Sequence, residues 1–394
     1  MPTAKLIVQK YGGATLADPQ KIKNVAKRIF QLHKAGTRLV IIVSAMGQTT
    51  NQLIELAHQV SPRPALRELD MLLTAGERIS MALLSMALND LGCPAISFTG
   101  SQAGILTDDS HVNANIIEVK AFRVEEALKQ NKVVILAGFQ GVSHNTKEIT
   151  TLGRGGSDIS AVAMSSFLKA DRCEILKDVD CIYTADPKLI PTAKPIRHLN
   201  YQHLLDMTSW GAKVLHHRSV KLAAEKNVNL FVGSAADETS GGSVVTHDHV
   251  PDSHFLMAVN SFSNIFETEL TDSSLNFTDF QIFLQKNQIG LVQPLFSNSK
   301  SIFFTAPQET LKDISDFESK QKYFRIVRNS YSSVSATYSR SAEAGDLKIL
   351  EELLQEHKIE VFHSQREANS LHFLLGVDHR NAALQILHNI IKIM

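Results

Sequence analysis

Residues 150–158 read TTLGRGGSD and stand directly before an apolar helical run, Ile159 to Leu168. Three glycines, Gly153, Gly155 and Gly156, leave backbone N–H groups unshielded, and Ser157 with Asp158 can cap the helix that follows. That is an anion cradle. Arg154 at its centre adds a planar, bidentate partner for a carboxylate beside a site suited to phosphate. The turn is built to hold two anions.

Outward from this turn, short β-branched runs alternate with helical patterns as far as about Ser234. Leu6 to Val8, Leu39 to Val43, Val133 to Ala137, Cys173 to Leu176 and Val228 to Val232 are nearly continuous apolar runs, as expected of strands covered on both faces. The first crossover helix is signposted by Asp18 as N-cap, Pro19 in the first turn, Ile22, Val25, Ile29 and Leu32 on one face, and Gly36 as terminator. The pattern predicts an α/β sheet with helices on both sides, and ligands on such sheets gather beyond the carboxyl ends of the strands. Between Ala235 and Asp252 the composition turns polar and turn-rich, a candidate domain boundary. Beyond it, strand-like runs (Phe255 to Val259, Ile302 to Thr305, Tyr323 to Val327, Leu371 to Val377) interleave with two amphipathic helices, one around Leu347 to Leu354 and one from Asn381 to the end. This half carries no catalytic signature.

The bulk properties exclude several classes. A chain of 394 residues with 44% hydrophobic content has room for two or three domains and a buried core. Forty basic residues balance forty acidic ones, so no global field draws the chain to nucleic acid or to an anionic membrane. The opening MPTAKLIVQKYGG holds only a short apolar run between Lys5 and Lys10, which is not a secretory segment, and no long apolar stretch predicts a membrane span. Cys93, Cys173 and Cys181 lack metal-ligand spacing and are odd in number, the usage expected of reduced thiols in a cytoplasm.

Five further segments carry chemistry. Strand Leu6 to Val8 runs into KYGGAT, where Gly12 and Gly13 let phosphate oxygens approach the backbone and Lys10 supplies a movable charge. Ser44 and Thr50, in SAMGQTTN, can donate to a substrate oxygen or cap the next helix. Glu77, read as lying near a helix N-terminus, either is a capping carboxylate or takes an ammonium group. The acid-rich ILKDVDCIYTADPKLIP leaves the end of a core strand and suits the nucleotide side, while GAKVLHHRS is read as opening a helix with Lys213 in its first turn, a poor place for a cation unless it faces phosphate.

These five pieces, in this order, resemble the aspartate kinases of the amino-acid kinase superfamily over roughly residues 5 to 234. KYGGAT is similar to the family's K-F-G-G-T-S, DVDCIYTADP to D-V-D-G-[IV]-Y-T-A-D-P, GAKVLHHRS to A-K-V-[LI]-H-P, and TTLGRGGSD matches nearly letter for letter. The resemblance implies a three-layer α/β sandwich with a mostly parallel central sheet over residues 1–248, followed at 249–394 by two divergent ACT-like (ferredoxin-like) modules that regulate or dimerise. It implies transfer of the γ-phosphoryl of ATP, with Mg²⁺, to the side-chain carboxylate of L-aspartate, the entry to lysine, threonine and methionine. By the same carry-over Lys10 and Asp158 are catalytic, and Thr50, Glu77, Arg154, Gly155, Gly156 and Ser157 bind aspartate. The nucleotide falls to Lys10, Tyr11, Gly12, Gly13, Ser44, Lys177, Asp178, Tyr183, Asp186, Lys188, Lys213 and Val214, with no protein metal cage. A homodimer through the C-terminal part is implied, as is feedback by lysine or threonine.

The chain departs from the pattern at Ala14, at Lys177 where threonine is usual, at Cys181 in place of glycine, and at His217 in place of proline. A left-handed backbone at Cys181 would cost on the order of 1–2 kcal/mol. The glycine-rich turns by which ACT domains take effectors are matched only around Gly345 and Asp346. Two other readings stay open: a superfamily kinase with another acceptor, and a catalytically weak paralogue acting as a regulatory or structural subunit.

Overall fold

The structure is a computed structural model that describes residues 5–237, 240–247, 256–270, 278, 293–297, 301–305 and 324–393. Phe255, Tyr323 and the 248–255 linker, all part of the sequence reading, lie outside these. The chain divides into two compact units, the first formed by Met1–Ile182, Pro195–Leu205 and Val214–Val250, the second by Tyr183–Lys194, Asp206–Lys213 and Pro251–Met394.

The first unit is built on an eight-stranded sheet. In chain order its strands are β1 (Leu6–Tyr11), β2 (Arg38–Val43), β3 (Ala95–Phe98), β6 (Val133–Ala137), β9 (Arg172–Lys177), β10 (His198–Asn200), β11 (Leu230–Ser234) and β12 (Ser243–Thr246). A four-stranded sheet inserted between β3 and β9 contributes β4 (Ile105–Thr107), β5 (Ile116–Val119), β7 (Gln140–Ser143) and β8 (Ile149–Thr151). The large sheet runs β10-β12-β11-β9-β1-β2-β6-β3, and every ladder is parallel except β11 with β12. The expected mostly parallel sheet is therefore present. Strands β2 and β6 are apolar along almost their whole length because both faces are covered, whereas β1 and β9 admit Gln9, Lys10 and Glu174.

Strand alternation then sorts side chains by face. Ile7, Tyr11, Leu39, Ile41, Val43, Val133 and Ile135 pack with the apolar faces of α1 (Pro19–Lys34) and α3 (Leu66–Asp90). Lys10, one residue off this set and in register with Ile42 and Ile175, points to the other face, where α5 (Gly156–Leu168) packs on β1 and β9. Helix α1 starts as its sequence predicts, with the Asp18 carboxylate accepting from Lys21 N at 2.8 Å and Pro19 at the first position. Helix α3, 25 residues long, is apolar enough in composition to cross a bilayer, contrary to the expectation that no such stretch exists. It packs on α1, β3, β6 and β8 and buries Asp70, Thr74, Glu77, Ser80 and Ser85, the pattern of a core helix.

The second unit is an antiparallel α+β region. Strands β13 (Leu256–Leu270), β14 (Gln293–Ser297), β15 (Ser301–Thr305), β16 (Phe324–Tyr338), β17 (Val361–Arg366) and β18 (Ser370–Gly376) form one sheet in the order β14-β15-β13-β16-β18-β17. Helices α7 (Ala344–Glu356) and α8 (Arg380–Ile393) pack on it through Leu350, Leu354, Leu384 and Leu387 against Val334, Leu371 and Phe373. The first unit also contains α2 (Thr49–Val60), α4 (Phe122–Lys129) and α6 (His217–Glu225), and a helix over Tyr201–Ser209 is shared between the two units.

Candidate functional site

Parallel strands in register bring their carboxyl ends to one rim, so the turns after β1, β2, β6 and β9 are neighbours. The β1 turn is tight. Gly12 N donates to Leu176 O at 3.1 Å, and Thr15 donates to Gly12 O through both N (3.0 Å) and Oγ1 (2.6 Å), so the hydroxyl beside Ala14 is spent on the turn. A Cβ on Gly13 would lie 2.7 Å from Ala45 O, which only glycine avoids. Ser44 N donates to Tyr11 O at 3.2 Å, tying the second turn to the first. Tyr11 is fully buried with its hydroxyl donating to Gln9 Oε1 at 3.2 Å; its ring belongs to the core, and only its main chain reaches the turn.

The TTLGRGGSD turn meets this rim from α5. Gly155, left-handed at φ 73°, is the N-cap, and a Cβ there would sit 2.2 Å from His216 Cβ. Neither Ser157 nor Asp158 caps the helix, as the sequence reading supposed. The reason is that Asp158 is already engaged: its Oδ1 lies 2.6 Å from Lys10 Nζ, both groups being almost wholly buried. Burial alone would raise the Asp158 carboxyl, but the charges of Lys10 and Lys177 outweigh it and hold the group below its ordinary range. Ser157 is buried beside Asp158, whereas Arg154 is exposed.

Lys177, at the end of β9, donates to Val214 O and lies 3.7 Å from Asp158 Oδ2. Burial lowers its ammonium against the pull of Asp158, and Lys10 adds to the lowering. A threonine there could neither span this distance nor add a second cation. Asp178 beside it is exposed. Cys181 is buried without a left-handed backbone, so the strain feared for it is absent.

Glu77 lies in the middle of α3, not near its N-terminus, so the helix dipole does not stabilise it. Its Oε1 accepts from Ala45 N at 3.0 Å and its Oε2 is buried without a hydrogen-bond partner. Burial raises its pKa to about 7, against the Ala45 N–H and the charge of Lys10. A buried carboxylate oxygen lacking a donor calls for one. Thr50 is half-buried in the first turn of α2.

The structure therefore gathers Lys10, Asp158, Lys177 and Val214, and places Glu77 under the Ser44–Ala45 turn. Lys213 precedes α6 rather than entering its first turn, so the dipole argument for it fails. His217 holds the first position of α6, where no helical hydrogen bond is lost whichever residue stands there. Tyr183, Asp186, Lys188 and Lys213 belong by their contacts to the second unit. There Lys188 N donates to Asp186 Oδ1 at 2.9 Å, an Asx turn. Asp346 in α7 is also engaged, in a capping box with Glu343 and a 2.8 Å ion pair with Arg340. Sequence reasoning missed Asp70, His111 and Thr151, which lie behind the Arg154 turn. The signal available was helical spacing, because Asp70, Thr74 and Glu77 put polar groups on one face of an otherwise apolar helix.

The amino acid kinase family matches residues 5–234. The chain is 52% identical over 236 residues, 60% of its length, to the aspartokinase of Mycolicibacterium smegmatis, and the match spans 56% of that relative. It thus aligns with little more than half the length of the curated relative. Among solved structures it is similar to E. coli aspartokinase III in complex with aspartate and ADP, with TM-score 0.80, 21% identity, and 98% of this chain and 100% of that one covered. It is also similar to aspartate kinase from Synechocystis, with 31% identity, TM-score 0.56, and 98% of this chain and 69% of that one covered.

Proposed function

Because the chain belongs to the amino acid kinase family, we propose that it is an aspartate kinase, moving the γ-phosphoryl group of ATP to the side-chain carboxylate of L-aspartate and giving 4-phospho-L-aspartate. The observation that carries this reading is the Lys10–Asp158 pair at 2.6 Å, which joins two glycine turns, one suited to phosphate and one carrying an exposed arginine.

The nucleophile needs no general base, since a carboxylate of pKa about 4 is ionised at neutral pH. The obstacle is charge: two anions about 4 Å apart repel by roughly 4 kcal/mol per pair at an effective dielectric near 20. Lys10 neutralises the transferring phosphoryl group, and Asp158 holds the Lys10 ammonium at the turn until phosphate arrives. Gly13 offers its main-chain N–H to the phosphates, Gly12 leaves the approach beside Lys10 open and Ser44 offers its hydroxyl, with Lys177 and Asp178 on the nucleotide side. Arg154 takes a carboxylate of the amino acid, aided by Ser157, Thr50 and the N–H of Gly155, while the Gly156 N–H is spent on Gly153 O within the turn. Glu77 takes its ammonium group, which supplies the donor that Oε2 lacks. Mg²⁺ arriving with ATP would be held mainly by the phosphates and would supply further positive charge beside Lys10.

The proposal extends to the rest of the chain. Residues 1–248 form the kinase domain and 249–394 two ACT-like modules that assemble a homodimer in the cytoplasm, with lysine or threonine as effector. Sizing should then give about twice the 43.5 kDa chain mass. The decisive test traps acyl phosphate with hydroxylamine in the presence of ATP, Mg²⁺ and L-aspartate. Hydroxamate should form with the wild type and vanish in Lys10→Ala and Arg154→Ala; its absence from the wild type would favour a silent regulatory paralogue.

A further inference from the structure

Behind the Arg154 turn lies a buried carboxylate to which the mechanism gives no task. Asp70, in the second turn of α3, is wholly buried and gathers donors from two other segments. Thr151 Oγ1 donates to its Oδ1 at 2.6 Å, Val112 N donates to the same oxygen at 3.0 Å, and His111 Nδ1 lies 2.6 Å from Oδ2. A carboxylate this deeply buried is retained only when its partners are firmly placed.

Those partners lead to the turn. Thr151 stands three residues before Arg154, at the end of β8. Val112, though β-branched, adopts a left-handed backbone (φ 65°), a conformation such residues rarely accept without outside compulsion. The loop it shapes presses on the turn, since a Cβ on Gly153 would lie 3.0 Å from Val112 O and 2.8 Å from Asn113 Oδ1. From the opposite side Arg218 of α6 donates to Leu152 O and to Asn113 Oδ1, both at 2.7 Å. The strand entering the turn is thus clamped between α3 and α6.

Helix α3 also carries Glu77, seven residues on from Asp70 and on the same buried face. One rigid element therefore bears one proposed amino-acid clamp and grips the base of the other. We propose that Asp70, through Thr151, with His111 and Val112 completing its bonding, is the positioning residue that sets the span between Glu77 and Arg154 and so the seat of the amino-acid substrate. The inference rests on the aspartate kinase reading. Asp70 itself touches no substrate.

Such a role acts on amino-acid binding and leaves the nucleotide side alone, which separates it from mere stabilisation. Thr151→Val keeps the shape and removes the hydroxyl; Thr151→Ser keeps the hydroxyl. In Thr151→Val the KM for L-aspartate should rise about tenfold, the cost of one lost bond to a charged group. The KM for ATP should stay within about twofold and kcat should change less than the aspartate KM. Thr151→Ser should behave as wild type, and Asp70→Asn should follow Thr151→Val. An unchanged aspartate KM in Thr151→Val, both KM values rising together, or Thr151→Ser as impaired as Thr151→Val would overturn the inference while leaving the kinase reading intact. A wild type that makes no hydroxamate from aspartate would remove that reading, and the inference with it.

Discussion

The two units bury polar groups of different kinds. At the rim of the first, the buried groups are charged: Lys10, Asp158, Glu77 and Asp70 all lie below a tenth exposed. In the second, the described buried polar groups are chiefly hydroxyls and imidazoles, among them Ser332, Ser335, Thr337, His372 and His388, together with the carboxylate of Asp206. Most of these have partners close at hand, whereas the Thr337 hydroxyl has none among the described residues. Ser332 Oγ donates to Gly376 O at 3.1 Å, Ser370 Oγ lies 2.9 Å from His372 Nε2, and Thr184 Oγ1 lies 2.9 Å from His388 Nε2. His372 also stacks on Trp210 with ring centroids 3.5 Å apart. A desolvated charge is far costlier than a buried hydroxyl, so the charges at the rim of the first unit mark a place where they have work to do, whereas the second unit buries mostly hydroxyls and imidazoles.

The largest effect that would break this contrast is expected at Asp158. In Asp158→Asn the ammonium of Lys10 loses its partner in a buried site that also holds Lys177. Removing one member of a buried ion pair costs about 3–5 kcal/mol. Urea denaturation followed by circular dichroism should show it, and a midpoint equal to wild type would mean that water already solvates the pair.

Next comes Glu77. Its pKa is about 7 in the folded chain against an ordinary 4.5. Between these values the folded chain holds more protons than the unfolded one, so stability falls as pH rises across that window, by on the order of 3 kcal/mol. Glu77→Gln should remove that fall. If the ionised form grips the ammonium group, the aspartate KM of the wild type should drop as pH rises through 7. A KM indifferent to pH would release Glu77 from the substrate.

The second unit should respond with the opposite sign and a smaller size. Burial lowers the His372 pKa to about 3 from an ordinary 6.5. The unfolded chain then holds more protons between these values, and stability falls as pH drops, by about 2 kcal/mol at pH 5. The emission of Trp210, the single tryptophan, reports on this stack. Urea titrations read at Trp210 should lose their acid sensitivity in His372→Gln, and retention of it would place the titrating group elsewhere.

Much of the first unit was legible beforehand, for local reasons. Asp18 and Pro19 start α1 where they predict it, and the runs at Leu39 and Val133 are strands because near-continuous β-branched residues suit a sheet covered twice. Errors arose where a local rule was used to place a helix end. The motifs place Glu77 near a helix N-terminus and Lys213 in a first turn, yet α3 begins eleven residues before Glu77 and α6 four residues after Lys213. Apolar residues such as Leu69, Leu72 and Leu73 continue the α3 pattern upstream, and nothing in a short motif reveals this. Tyr11 is a nucleotide contact only by the family resemblance; strand alternation turns its ring into the core and leaves its main chain at the turn.

The amino-acid sequence by itself determined the alternation of strand and helix, the glycine turns at the strand ends and the residue types that face anions, because these depend on period, propensity and side-chain chemistry within a few positions of one another. Only the tertiary structure decided which charges meet. Lys10 and Asp158 are 148 residues apart and Asp70 and Thr151 are 81. Their pairing follows from parallel register and helix packing, and burial then sets the charge state of each, which no local window of the sequence contains.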